Sequence, residues 1–255
     1  MSVPVFPKKM NDAVIISPLQ HLNAEKGELE NFKVPKGVIV CYEEYILAHI
    51  SEFYHVTKKR FWTCDIYYFE DTSGEVAIVG NFGIGGPAST HLLEVLIAAG
   101  VTKFVMLGHA GGLQKFNEIG KIILCEKAVR DEGLSYHYLE ASDYAYSSVA
   151  LTHQLKAALE TAHANFRIGS TWTIDTMYRE TISEIRHYEQ AGIDTVEMEA
   201  ASMFAVATFR KVDMAAMFVI SDHVTFEEWD QHLNAADTQQ AILQTVRMAK
   251  DVLAG

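Results

Sequence analysis

Short apolar runs alternate with amphipathic stretches along most of this chain, and the alternation predicts its elements. "AVII" (13–16) and "GVIVCY" (37–42) are apolar and rich in β-branched residues, which predicts strands. "CDIYYFEDTSGEVAIVGN" (64–81) reads as strand, turn and strand, with Ser73-Gly74 at the turn. After Gly83-Ile84-Gly85-Gly86, "PASTHLLEVLIAAG" (87–100) has the spacing of a helix, with Pro87 in its first turn, Gly100 at its end and Leu92, Leu93, Leu96 and Ile97 on one face. "KFVML" (103–107) is a strand running into the glycine-rich turn "GHAGGL" (108–113), and "KIILCE" (121–126) is another strand. The tyrosine-rich 131–147 is read as an ordered loop, 148–163 as a helix and 166–172 as a strand. An amphipathic helix over 179–192, a short strand over 193–197, a helix over 199–211, a buried strand over 214–221 and a helix over 235–253 complete the series.

Strands alternating with helices imply a largely parallel or mixed sheet covered on both faces. With 255 residues, no linker and no internal repeat, the chain is expected to be a single α/β domain over 1–255. Composition narrows the function. A net charge of −12 argues against nucleic-acid or membrane-surface binding, although one local pocket could still be positive. Cys41, Cys64 and Cys125 lack any CxxC spacing and read as reduced, buried residues. The chain shows no signal-peptide core and no membrane-length apolar run, so the expected location is cytoplasmic. The scattered histidines give no metal-ligand spacing, and no metal is expected.

Four segments at predicted strand ends could carry chemistry, because ligands of open α/β sheets bind there. "GNFGIGGPAST" (80–90) places glycines before a helix, which suits either a tight turn or an anion held by backbone amides. "VMLGHAGGL" (105–113) repeats the theme and puts His109 at a strand end, where it could be structural or catalytic. "TVEMEAASMFAVA" (195–207) sets Glu197 and Glu199 around Met198. One carboxylate would cap the following helix, and two with a thioether between them suit a sugar, whose hydroxyls donate to carboxylates while sulfur packs on its face. In "VISDHVTFEEW" (219–229), Asp222 could donate a proton or simply cap a helix.

Together "GIGGP", "GHAGGL", "VEMEA" and "VISD" resemble, in order and spacing, the nucleoside phosphorylase superfamily, which includes uridine phosphorylase, bacterial purine nucleoside phosphorylase and the methylthioadenosine/S-adenosylhomocysteine nucleosidases. "EKAVRDEGLSYHYL" (126–139) and "GSTWTIDTMYRET" (169–181) look like the uridine-phosphorylase-like branch. The resemblance implies a three-layer α/β/α fold with a central mixed sheet. It also implies cleavage of the N-ribosidic bond of a purine or pyrimidine nucleoside by inorganic phosphate, with no cofactor, in a homo-oligomer (dimer or hexamer). Carried over to this chain, Glu197, Met198 and Glu199 bind ribose, and Asp222 protonates a departing purine. Met177, Tyr178, Arg130 and Arg179 border the base. Gly83, Gly85, His109 and Arg60 form the phosphate or water site, with Lys59 an alternative to Arg60.

The departures fall at phosphate. Met106 stands where the family has an arginine, His109 where it has serine or threonine, and Gln20 near a second arginine position. A buried phosphate dianion needs paired charge, so two missing guanidiniums matter. The sequence therefore leaves three readings in order: a phosphorylase with rebuilt phosphate contacts, a nucleosidase using water, and a non-catalytic nucleoside-binding protein. For the nucleosidase, Glu25 and Glu28 come late for the water-activating glutamate.

Overall fold

The computed structural model describes residues 5–6, 9–24, 32–224, 229–232 and 235–255. Glu25 and Glu28 lie outside them, as do residues 225–228 of the segment containing Asp222.

The described strands are β1 (Gly37–Cys41), β2 (Val56–Phe61), β3 (Cys64–Phe69), β4 (Val76–Gly80), β5 (Lys103–Gly112), β6 (Ile122–Asp131), β7 (Tyr144–Tyr146), β8 (Phe166–Ile174), β9 (Thr195–Glu197), β10 (Asp213–Val224) and β11 (Trp229–Gln231). They form one mixed sheet in the order β11-β10-β6-β8-β9-β5-β1-β4-β3-β2, with β7 beside β6. β10 also runs parallel to β5 along its whole length, and β5 pairs antiparallel with β9 at Gly111 and Gly112. The strands β5, β10, β6, β8 and β9 therefore close on themselves, while β1, β4, β3 and β2 extend from β5 as an open wing.

Alternation along the strands feeds two cores. Phe104 and Met106 of β5 face α1 (Pro18–Ala24), α3 (Gly86–Ala98) and α6 (Ala200–Arg210), in a cluster with Leu92, Phe204 and Phe218. Val105 and Leu107 face α2 (Glu44–Phe53), α4 (Val149–Thr161) and α7 (Ala236–Ala254), with Ile46, Leu155 and Val246. Helices thus cover both faces of a mixed sheet, as the alternation predicted. The remaining helix, α5 (Ile182–Gln190), packs Ile185 with Trp172 and Ile193 in a smaller cluster and starts on a Thr181–Glu184 capping box.

The structure corrects four local readings. Residues 13–16 are not a strand: Val14, Ile15 and Ile16 are 75, 92 and 77 % exposed, since a strand needs a partner ladder as well as β-branched residues. The pattern reading assigned nothing between 43 and 63, where α2 and β2 lie; the apolar spacing of α2 buries only Ile46, Leu47 and Ile50. "GHAGGL" is not a turn, because β5 runs on to Gly112. Its glycines serve close approach: a Cβ on Gly111 would lie 2.6 Å from Val224 Cγ2 and 3.1 Å from Val196 Cγ1. Finally, the 131–147 loop holds a 3-10 turn at Ser135–His137 and the strand β7.

Candidate active site

Gly111 is the centre of the arrangement. It pairs with Val196 of β9 on one side and with Asp222 of β10 on the other, across a bulge at Ser221. The sheet closure thereby brings the Glu197–Glu199 segment and Asp222 to the two flanks of one residue, roughly 10 Å apart at ordinary strand spacing.

The two glutamates differ. Glu197 ends β9, and its Oε2 accepts the backbone N–H groups of Glu199 (2.8 Å) and Ala200 (2.7 Å) at the start of α6. Its Oε1 accepts the Thr173 hydroxyl at 2.5 Å, with the Thr171 hydroxyl at 3.5 Å. Glu199 makes no cap bond to α6; its Oε1 accepts the Gly85 N–H at 2.5 Å. Both carboxyls are buried, and burial raises both pKa values. The charge of Glu199 adds to the rise at Glu197, whereas the amides of Gly85 and Met198 oppose it at Glu199.

Gly83 and Gly85 have φ of 101° and 83°, the left-handed region that glycine enters without strain. The Gly85 amide is directed at Glu199, so at this residue the loop holds a carboxylate of the chain itself. The Gly85 carbonyl accepts the Ser89 hydroxyl (2.9 Å), which in turn accepts the Tyr42 hydroxyl (2.7 Å). Tyr42 is pushed well above its usual pKa, by burial first and then by Glu199.

Tyr42 leads directly to Glu43 at the N-terminus of α2. Glu43 Oε2 lies 2.8 Å from His109 Nδ1, and Oε1 accepts the His109 backbone N–H at 2.8 Å. Both side chains are largely buried, and His109 Nε2 is buried with no hydrogen-bond partner among the described residues. The other expected phosphate positions carry no available cation. Met106 is buried in the core. Gln20 accepts the Ser17 N–H and hydroxyl at the start of α1. Arg60 is on the outermost strand of the wing, bonded to Asp65 and the Thr63 carbonyl. Lys59 is on the same strand, near the Tyr68 ring.

Asp222 sits within β10, so the helix-cap reading fails: the strand continues to Val224. Its Oδ1 accepts the Ser221 hydroxyl at 2.7 Å. Of the residues expected at the base, Met177, Tyr178 and Arg179 form an exposed 3-10 turn after β8, with Tyr178 92 % exposed. Arg130 is buried under its own loop; its guanidinium donates to Ser135, Glu140 O, Ser142 and Leu139 O and stacks on Tyr136. That commits Arg130 to ordering residues 135–142.

Three residues escaped the sequence reading: Tyr42, Glu43 and Glu180. Burial, followed by the charges of Asp222 and Glu184, raises Glu180 to about 7. Its adjacency to Arg179 in "MYRET" was the only available signal. Among the described residues, no group of three His, Cys, Asp or Glu side chains could hold a metal ion, and no helix is long and apolar enough to cross a membrane.

The profile of the phosphorylase superfamily matches residues 35–254. A uridine phosphorylase of Thermococcus kodakarensis is 31% identical over 145 residues, 51% of this chain and 51% of that protein, so this chain matches about half the length of that relative. A DeoD-type purine nucleoside phosphorylase of an Exiguobacterium species is 25% identical over 189 residues, 73% of this chain and 78% of that protein. In fold, the chain is similar to purine nucleoside phosphorylase from Toxoplasma gondii, solved with immucillin-H. The TM-score is 0.77 at 16% identity, covering 87% of this chain and 91% of that one.

Proposed function

Because the chain belongs to the phosphorylase superfamily, we propose that it is a nucleoside phosphorylase, cleaving the N-ribosidic bond of a purine or pyrimidine nucleoside with phosphate to give free base and ribose 1-phosphate. The observation that carries this reading is that Gly111 has Val196, leading into Glu197–Glu199, on one flank and Asp222 on the other. Glu199 accepts hydrogen bonds from ribose hydroxyls, and Glu197 fixes the start of α6 so that Glu199 points into the site. Met198 packs on the sugar. As the C1′–N bond breaks, its electron pair goes to the base, and Asp222 supplies the proton that neutralises it. Phosphate oxygen forms the new bond to C1′. Glu180, beside Asp222, holds a proton up to near-neutral pH and keeps this edge of the site supplied. Asp222 favours a purine, and the exposed Met177–Arg179 turn closes over the base. No cofactor is needed.

A second reading is hydrolysis by water. It is favoured by one observation, the absence of an available cation at Met106 and Gln20. We further propose self-association, supported by the exposed apolar segment at residues 14–16, and a reducing, cytoplasmic location, supported by three buried cysteines outside any disulfide.

The test is base release from a panel of purine and pyrimidine nucleosides, each with and without phosphate, followed by chromatography of the sugar. Ribose 1-phosphate formed only with phosphate is the expected result. Free ribose at an equal rate in both buffers would replace phosphorolysis with hydrolysis.

A further inference from the structure

A buried imidazole nitrogen without a partner is costly, and among the described residues His109 Nε2 is such an atom. The rest of the ring is firmly held. Nδ1 lies 2.8 Å from Glu43 Oε2, and Glu43 Oε1 takes the backbone N–H of the same residue. A carboxylate only accepts, so this contact requires the proton on Nδ1 and leaves Nε2 as the working atom. Glu43 is the N-cap residue of α2, yet its side chain makes no cap bond. The pair is also wired to the sugar clamp: Tyr42, adjacent to Glu43, reaches Ser89, then Gly85, then Glu199.

We propose that Glu43 is a positioning residue for the phosphate co-substrate, locking His109 so that Nε2–H of the imidazolium donates to a phosphate oxygen. This rests on the phosphorolytic reading above. The pairing explains how a site without the expected arginines holds an anion. Doubly protonated, the ring so held gives phosphate a charge-assisted donor without a guanidinium.

The experiment is steady-state kinetics of the full chain and its Glu43→Gln and Glu43→Asp variants, varying phosphate and nucleoside separately. Thermal melting serves as the folding control. The expected result for Glu43→Gln is a rise of about tenfold or more in the KM for phosphate. The KM for nucleoside and kcat at saturating phosphate should stay within a few-fold, and Glu43→Asp should fall between the two. A phosphate KM within twofold of the parent in a folded Glu43→Gln variant overturns the proposal. So does a parallel rise of both KM values with a lowered melting temperature, which would mark Glu43 as structural. Phosphate dependence of base release in the unsubstituted chain is measured alongside. Its absence would sink the phosphorolytic reading without reference to any variant, so the two failures are told apart.

Discussion

Glu197 spends both carboxylate oxygens on the protein itself, on two amides of α6 and on the Thr173 hydroxyl, whereas Glu199 reaches across to the glycine loop. Substitution should separate them. Glu197→Ala leaves buried donors unpaired and should lower stability by about 1–3 kcal/mol, read from the urea midpoint. Glu199→Gln should leave stability nearly unchanged and lower kcat/KM at least about tenfold; wild-type turnover would remove the ribose assignment. Asp222→Asn should slow base release by roughly 10²–10⁴ with little change in nucleoside binding, and an unchanged rate would rule out proton donation from this residue. Glu180 provides a pH signature. Its folded pKa, about 7, exceeds the unfolded 4.5, so the folded state binds the extra proton between these values. Stability therefore falls as pH rises from about 4.5 through 7. Melting temperatures of Glu180→Gln and the parent should match near pH 4.5, with the variant ahead above pH 7. A constant difference across that range would mean that Glu180 titrates normally.

At the scale of elements, the glycines of β5 act through packing. Gly111 lies against Val196, Val224 and Asp222 Oδ2, all within 3.3 Å of a hypothetical Cβ. Gly111→Ala should force β9 and β10 apart, costing about 1–3 kcal/mol as overpacking does, and should reduce kcat because both flanks of the site move. Denaturation together with turnover checks this, and a stable, active variant would show that the closure tolerates a side chain. Strand–helix alternation made most elements legible in advance, α3, β8 and α6 among them. The reading stopped short at "GHAGGL" because glycine after a strand signals a turn locally, and only a crossing strand reveals that it is there for close approach. Residues 13–16 failed for the complementary reason: a β-branched run carries propensity but cannot supply the neighbouring edge that makes it a strand.

The whole molecule closes five strands into a ring and leaves a four-stranded wing whose outer strand carries Arg60. The proposed self-association rests on the exposed apolar residues 14–16. Ile15→Asp should shift the chain toward monomer in sedimentation velocity; an unchanged sedimentation coefficient would place the contact elsewhere.

What the sequence determined by itself was local and chemical: the alternation that specifies a covered mixed sheet, and the glutamate pair, aspartate and histidine that resemble a nucleoside-cleaving site. Their one-dimensional spacing sufficed because each lies in or next to the last few residues of a strand. Which glutamate caps and which faces the site was decided by the tertiary structure alone. So were the loss of Arg130 to its own loop and the meeting of Glu43 with His109. Each depends on a contact between residues far apart in the chain, 66 positions in the case of Glu43 and His109, and no local pattern encodes which distant partner a polar group will find.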